Sequence, residues 1–175
     1  MLSAAKEVDS PIIVAVTSHI VFSRFGDFET FVACVLLNKR TLKIKSPVAI
    51  HLDHETDFAR IIQAVNSGFN SVMLDLSQIS IFEEKVSYLK KVVEFVKETK
   101  KEIFLEVEFE KFTGKDADYY YQEVTKSSGY SGFSKEKIAN QSFREAEELS
   151  KLSDKFAFAL NMNNIHGIYP RDWRV

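Results

Sequence analysis

The sequence predicts an α/β fold with a parallel sheet, on three observations. Short continuous apolar runs, such as Ile12 to Val16 and Ser71 to Leu74, read as strands buried on both faces. Stretches with apolar residues every three or four positions lie between them and read as covering helices. Ionisable residues collect where the apolar runs end, which is where parallel α/β folds carry their chemistry.

The elements follow in order. Ile12 to Val16 is the first strand. Asp27 has the side chain to cap a helix whose apolar face is Phe28, Phe31, Val32, Val35 and Leu36. Pro47 to Ile50 is the second strand, running into His51-Leu52-Asp53-His54. Asp57 caps the next helix, built on Phe58, Ile61, Ile62 and Val65, and Gly68 stands where it stops. Ser71 to Leu74 is the third strand and ends at Asp75. Phe82, Val86, Leu89, Val93 and Val96 give the clearest helix, with Glu and Lys on its other face. Ile103 to Phe109 is the fourth strand. Residues 110–140 are polar and aromatic, with three glycines, and read as one long loop. A short helix from Phe143 to Leu152 and a fifth strand from Phe156 to Leu160 complete the reading.

Five parallel strands with covering helices belong to a doubly wound sheet or to a TIM (β/α)8 barrel. A whole barrel needs at least about 200 residues, so a chain of 175 in that fold is a partial one. The length suits a single domain over 1–175. With 23 basic and 25 acidic residues the chain is not a broadly basic nucleic-acid binder. No apolar run reaches the roughly 18 residues of a membrane span, and Met1 to Glu7 lacks a signal-peptide core. The single cysteine, Cys34, sits on the apolar side of its helix and reads as core. One cysteine excludes an intrachain disulfide and points to a reducing compartment, the cytoplasm.

The polar strand ends hold the candidate chemistry. His51, Asp53 and His54 close the second strand, and Asp75 and Ser77 the third. Glu106, Glu108 and Glu110 mark the fourth, and Asn163, Asn164 and His166 follow the fifth. Imidazole with carboxylate is a zinc-type donor set. The three alternating glutamates share one face, which is either a solvated edge or a paired or cation-bound cluster. His19 and His51 read as structural.

At these residues the chain resembles the class II, zinc-dependent fructose-bisphosphate aldolases. Pro47-Val48-Ala49-Ile50-His51-Leu52-Asp53-His54 is similar to the family's PV-x-LHLDH segment. Gly68 to Ser77 is similar to GFTSVMID-x-S, and Phe82-Glu83-Glu84 to the start of FEEN. Leu105-Glu106-Val107-Glu108 resembles VEAELG, Asn164 to Tyr169 resembles N-x-HG-x-Y, and Ser10 to Ile13 resembles SPVI. The matches run in register along nearly the whole chain. Glu110, Asp116 and Asn163 depart from the family pattern.

The resemblance implies a partial TIM barrel, covering about the second to sixth strands. It implies Asp53 as the catalytic acid/base and His54 and His166 as zinc ligands. Glu108 is implied as the carboxylate of an alternative zinc position. Gly167, Ser77 and Asp75 are implied at the substrate. The implied reaction is zinc-assisted, reversible aldol cleavage of a ketose 1,6-bisphosphate to glycerone phosphate and glyceraldehyde 3-phosphate. The implied ions are Zn2+ and a monovalent cation. The implied partners are a sugar phosphate and a second copy or complementary chain, because a partial barrel leaves sheet edges open. The alternative reading is a non-catalytic, aldolase-derived binding or assembly module.

Overall fold

In the computed structural model, residues 1–79, 81–108, 135–153 and 155–159 are described, with backbone alone for 135–142. The elements run α1 (Leu2–Glu7), β1 (Ile12–Thr17), α2 (Ser18–Phe25), α3 (Phe28–Thr41), β2 (Val48–Glu55) and α4 (Phe58–Ser67). They continue with β3 (Ser71–Asp75), α5 (Phe82–Thr99), β4 (Phe104–Glu108), α6 (Lys135–Ser150) and β5 (Phe156–Ala159). All five strands form one parallel sheet in the order β1-β2-β3-β4-β5. A doubly wound sheet reverses its strand order at a switch point. This sheet does not reverse, so right-handed crossovers carry the covering helices to one face, the winding of a partial TIM barrel.

Burial separates the two faces. Val16, Ile50, Leu52, Val72, Leu74, Leu105 and Val107 point to the helix layer and join one core with Val21, Phe31, Val32, Ile61, Val65, Leu89 and Val92. The strand register places the alternate residues on the other, inner face: Ala15 beside His51, His51 beside Ser71, Met73 beside Glu106 and Asp75 beside Glu108. That face carries the ionisable groups together with Ile13, Met73 and Phe104, and it is partly open. Ile13 is 62% and Phe104 45% exposed. The expectation of strands buried on both faces is therefore corrected for β1, whose inner side lacks the helix layer that covers its outer side.

Local chemistry fixes the helix ends. Asp27 accepts a hydrogen bond from the Thr30 N–H at 2.7 Å, and Asp57 from Ala59 N–H at 2.8 Å. Gly68 ends α4 in the left-handed region, φ 112°, where its N–H bonds the Ala64 and Val65 carbonyls. Asn70 then joins three strands. Its side chain accepts from Ile50 N–H at 2.8 Å, and its carbonyl from Phe104 N–H at 3.0 Å.

Other expectations are revised. Helix α2 is not among the elements the sequence predicts. The 110–140 stretch read as loop is already helical from Lys135, and 110–134 lie outside the described residues. Leu36 is 53% exposed and Cys34 only half-buried, because both sit at the edge of the face that α3 turns to the core. Among the described residues no helix is long and apolar enough to cross a membrane.

Candidate metal centre

The site begins with an irregularity in β2. Leu52 pairs with Val72 and Glu55 with Leu74, so Asp53 and His54 together oppose the single residue Met73. This is a β-bulge. His54 takes the extra place with a left-handed backbone, φ 49°. In a regular strand two consecutive side chains point to opposite faces. The bulge turns His54 to the inner face, already the side of Asp53, and carries Glu55 to the helix side. There Glu55 is buried and accepts from the Ser18 hydroxyl and, at 2.9 Å each, from Thr56 and Asp57 N–H. A satisfied carboxylate thus pins the strand just beyond the strained residue.

His54 Nδ1 lies 3.3 Å from Glu108 Oε2 on β4 and 3.7 Å from Asp75 Oδ2 on β3. One donor atom from each of the three residues falls within 4.8 Å of the others. Asp75 is held by Ser77, whose N–H and hydroxyl donate to Oδ1 at 3.0 and 2.5 Å, leaving Oδ2 for the cluster. Glu108 Oε2 is buried and accepts no hydrogen bond among the described residues. Burial pushes the Glu108 carboxyl up to about 7, and the charges of Asp75, Asp53 and Glu106 push the same way against His54. A buried carboxylate oxygen with no hydrogen bond, beside an imidazole and a second carboxylate, is what a cation would satisfy. The donors also suit zinc. Bonds of about 2.05 Å in a tetrahedron set ligand atoms about 3.3 Å apart.

A second polar layer lies one step down the inner face. His51 is buried, its Nδ1 2.7 Å from Ser71 Oγ and its Nε2 3.6 Å from Glu106 Oε2. Burial holds the His51 imidazole below the ordinary histidine range, with Glu106 and Asp53 opposing. Sequence reasoning placed His51 as structural and gave Glu106 no role of its own. The alternation of His51 with Asp53 and of Glu106 with Glu108 is the signal that puts them on the site's face.

Of the residues implied by the resemblance, His54, Asp75 and Glu108 meet in one cluster. Ser77 supports Asp75. Asp53 is half-buried on the same face and is one of the charges felt by Glu108 and His51. His166 and Gly167 lie outside the described residues.

Comparison with known proteins gives a consistent result. The model of the family described as Fructose-bisphosphate aldolase class-II matches residues 1–175. A fructose-bisphosphate aldolase of Mycoplasma genitalium is 33% identical over 99% of this chain and 53% of its own length. One of Staphylococcus aureus is 32% identical over 97% of this chain and 53% of its own length. The chain spans about half the length of these curated relatives. The crystal structure of the YdjI aldolase from Escherichia coli K12 superposes with a TM-score of 0.52 at 31% identity, over 61% of this chain and 39% of that one.

Proposed function

Because the chain belongs to the class II fructose-bisphosphate aldolase family, we propose that it carries the metal-binding and proton-transfer part of a zinc-dependent aldol site. Its substrate is a ketose 1,6-bisphosphate, cleaved reversibly to glycerone phosphate and glyceraldehyde 3-phosphate. The observation that carries this reading is the His54, Asp75 and Glu108 cluster with its buried Glu108 oxygen, which accepts no hydrogen bond among the described residues. The setting is cytoplasmic sugar metabolism.

His54 and Glu108 are the ligands that would hold zinc, with Asp75 beside them. His166 joins them in this reading, and a monovalent cation shares the site. Bound zinc supplies Lewis-acid polarisation of the substrate carbonyl. The rest is done by the chain. Ser77 fixes Asp75 through two donors, so that one carboxylate oxygen stays turned to the cluster. The bulge puts Asp53 and His54 on the same side, next to each other in sequence, so a proton acceptor stands beside the carbonyl site. Asp53 takes the hydroxyl proton as the carbon–carbon bond breaks, and returns it in the condensation direction. Gly167 serves the phosphate in this reading.

One observation favours an additional reading, a module that acts with a second copy or a complementary chain. The inner face is open at Ile13 and Phe104. A site on that face is enclosed only when further strands or another chain cover it.

The test is zinc titration by calorimetry together with a fructose 1,6-bisphosphate cleavage assay, with added zinc and with chelator. Zinc binding lost in His54→Ala, and chelator-sensitive cleavage lost in Asp53→Ala, are expected. A folded chain that neither binds zinc nor cleaves the sugar overturns the catalytic reading.

A further inference from the structure

We infer that Glu106 is an acceptor for substrate hydroxyls in this site and that His51 is the positioning residue that orients it. This rests on the aldol reading above and adds a specificity element to it.

The argument starts from what is buried. The His51 side chain is only 7% exposed, yet an apolar side chain would fill such a place without the desolvation of two ring nitrogens. Both nitrogens face polar atoms. The Glu106 carboxylate beside Nε2 selects the tautomer with the proton on Nε2, since a bare nitrogen lone pair there would face negative charge. Nδ1 is then an acceptor, and the Ser71 hydroxyl at 2.7 Å donates to it. Ser71, His51 and Glu106 thus form a chain whose donors all point one way and end on the carboxylate. The last contact, 3.6 Å, is electrostatic rather than a formed hydrogen bond. Such contacts shorten when a ligand closes the site.

Glu106 differs from Glu108 in what it can do. Its side chain is 34% exposed and Glu108's is 4%. Glu108 therefore suits a cation held among protein groups, and Glu106 suits a ligand arriving from the open side. They stand two positions apart on β4, about 6.6 Å along the strand. That is the reach from a carbonyl held at the His54 cluster to hydroxyls two or three carbons away. A carboxylate with one oxygen turned to the His51 ring by electrostatic attraction still offers the other oxygen to O–H donors. The ligand class is a polyhydroxy ketose phosphate, distinguished from a triose phosphate by those more distant hydroxyls.

The test uses the zinc-loaded chain in an Asp53→Ala background, which stops turnover, and titrates two ligands by calorimetry. Fructose 1,6-bisphosphate has the distant hydroxyls and glycerone phosphate lacks them. Glu106→Gln is expected to weaken the first about tenfold, with the second and zinc unchanged within about twofold. His51→Gln should do the same, and the double variant should be no weaker than either single one, because both act through one contact. Ser71→Ala, which alters the core least, should give a smaller loss with the same selectivity and stands in for His51→Gln if that variant does not fold. Equal losses for both ligands, loss of zinc binding, additive singles, or no change in Glu106→Gln overturns the inference alone. If the Asp53→Ala chain binds neither ligand, the aldol reading falls and this inference with it.

Discussion

Glu108→Gln should have opposite effects on stability and on metal binding. In the metal-free chain Glu108 is buried, and its carboxyl sits at about 7 rather than at its ordinary 4.5. The folded state therefore holds a proton that the unfolded chain has released, between about pH 4.5 and 7. Stability contributed by this group is fully present below 4.5 and is lost as pH rises through 7. At about 1.4 kcal/mol per pH unit, the loss is of the order of 3 kcal/mol. Glutamine keeps the shape and cannot ionise. The assay is urea denaturation in chelator at pH 5 and pH 8. Relative to Glu108→Gln, the wild type should lose about 3 kcal/mol more between them, since buried His51, whose lowered range makes stability grow as pH rises, is common to both chains, and Glu108→Gln should be the more stable chain at pH 8. Saturating zinc should reverse that order, since a ligand at about 1,000 times its Kd adds about 4.1 kcal/mol to the chain that binds it. A metal-free wild type whose stability change from pH 5 to 8 matches that of Glu108→Gln would refute the reasoning, as would a Glu108→Gln chain that gains as much stability from zinc as the wild type.

Other perturbations test the elements that build the site. His54 has a left-handed backbone, φ 49°. Both His54→Ala and His54→Gly should lose zinc binding, but the glycine variant should be about 1 kcal/mol more stable in urea titration. Gly68→Ala meets two obstacles, φ 112° and Val32 Cγ1 at 3.2 Å from the added carbon. A loss of about 2 kcal/mol is expected in thermal or urea unfolding. Ser77→Ala removes the hydroxyl donor to Asp75 but keeps the backbone one. Calorimetry should show zinc affinity lower by about tenfold, with fold stability little changed.

Much of the fold was legible because its signals are local. Asp27, Asp57 and Gly68 mark helix ends through bonds within three or four residues, and each does in the structure what its side chain predicts. The β-branched run of β1 gave its strand but not its exposure. Whether Ile13 is covered depends on what packs against a whole sheet face, which no run of six residues encodes. Helix α2 was missed for a related reason. Its start has one local bond, a long 3.5 Å contact from Ile20 N–H to Thr17, and is otherwise fixed by Ser18 reaching Glu55, thirty-seven residues away. The polarity of 110–140 hid the start of α6, where sequence pattern favoured loop and the chain is helical from Lys135.

The candidate site shows the same division between residue type and placement. Its ligand types were visible at the strand ends, but a regular β2 would have sent Asp53 and His54 to opposite faces. Nothing in the period-two reading brings a proton acceptor and an imidazole ligand together. The bulge does, by spending one residue without a pairing partner and one strained backbone angle at His54. The irregularity is held from outside the site, because Glu55, the next residue, is buried under α2 by three donors. The missed helix and the strained histidine are therefore one feature. The contact of Ser18 with Glu55 helps keep β2 out of register with β3 for one residue, and that single step is what puts His54 within 3.3 Å of Glu108.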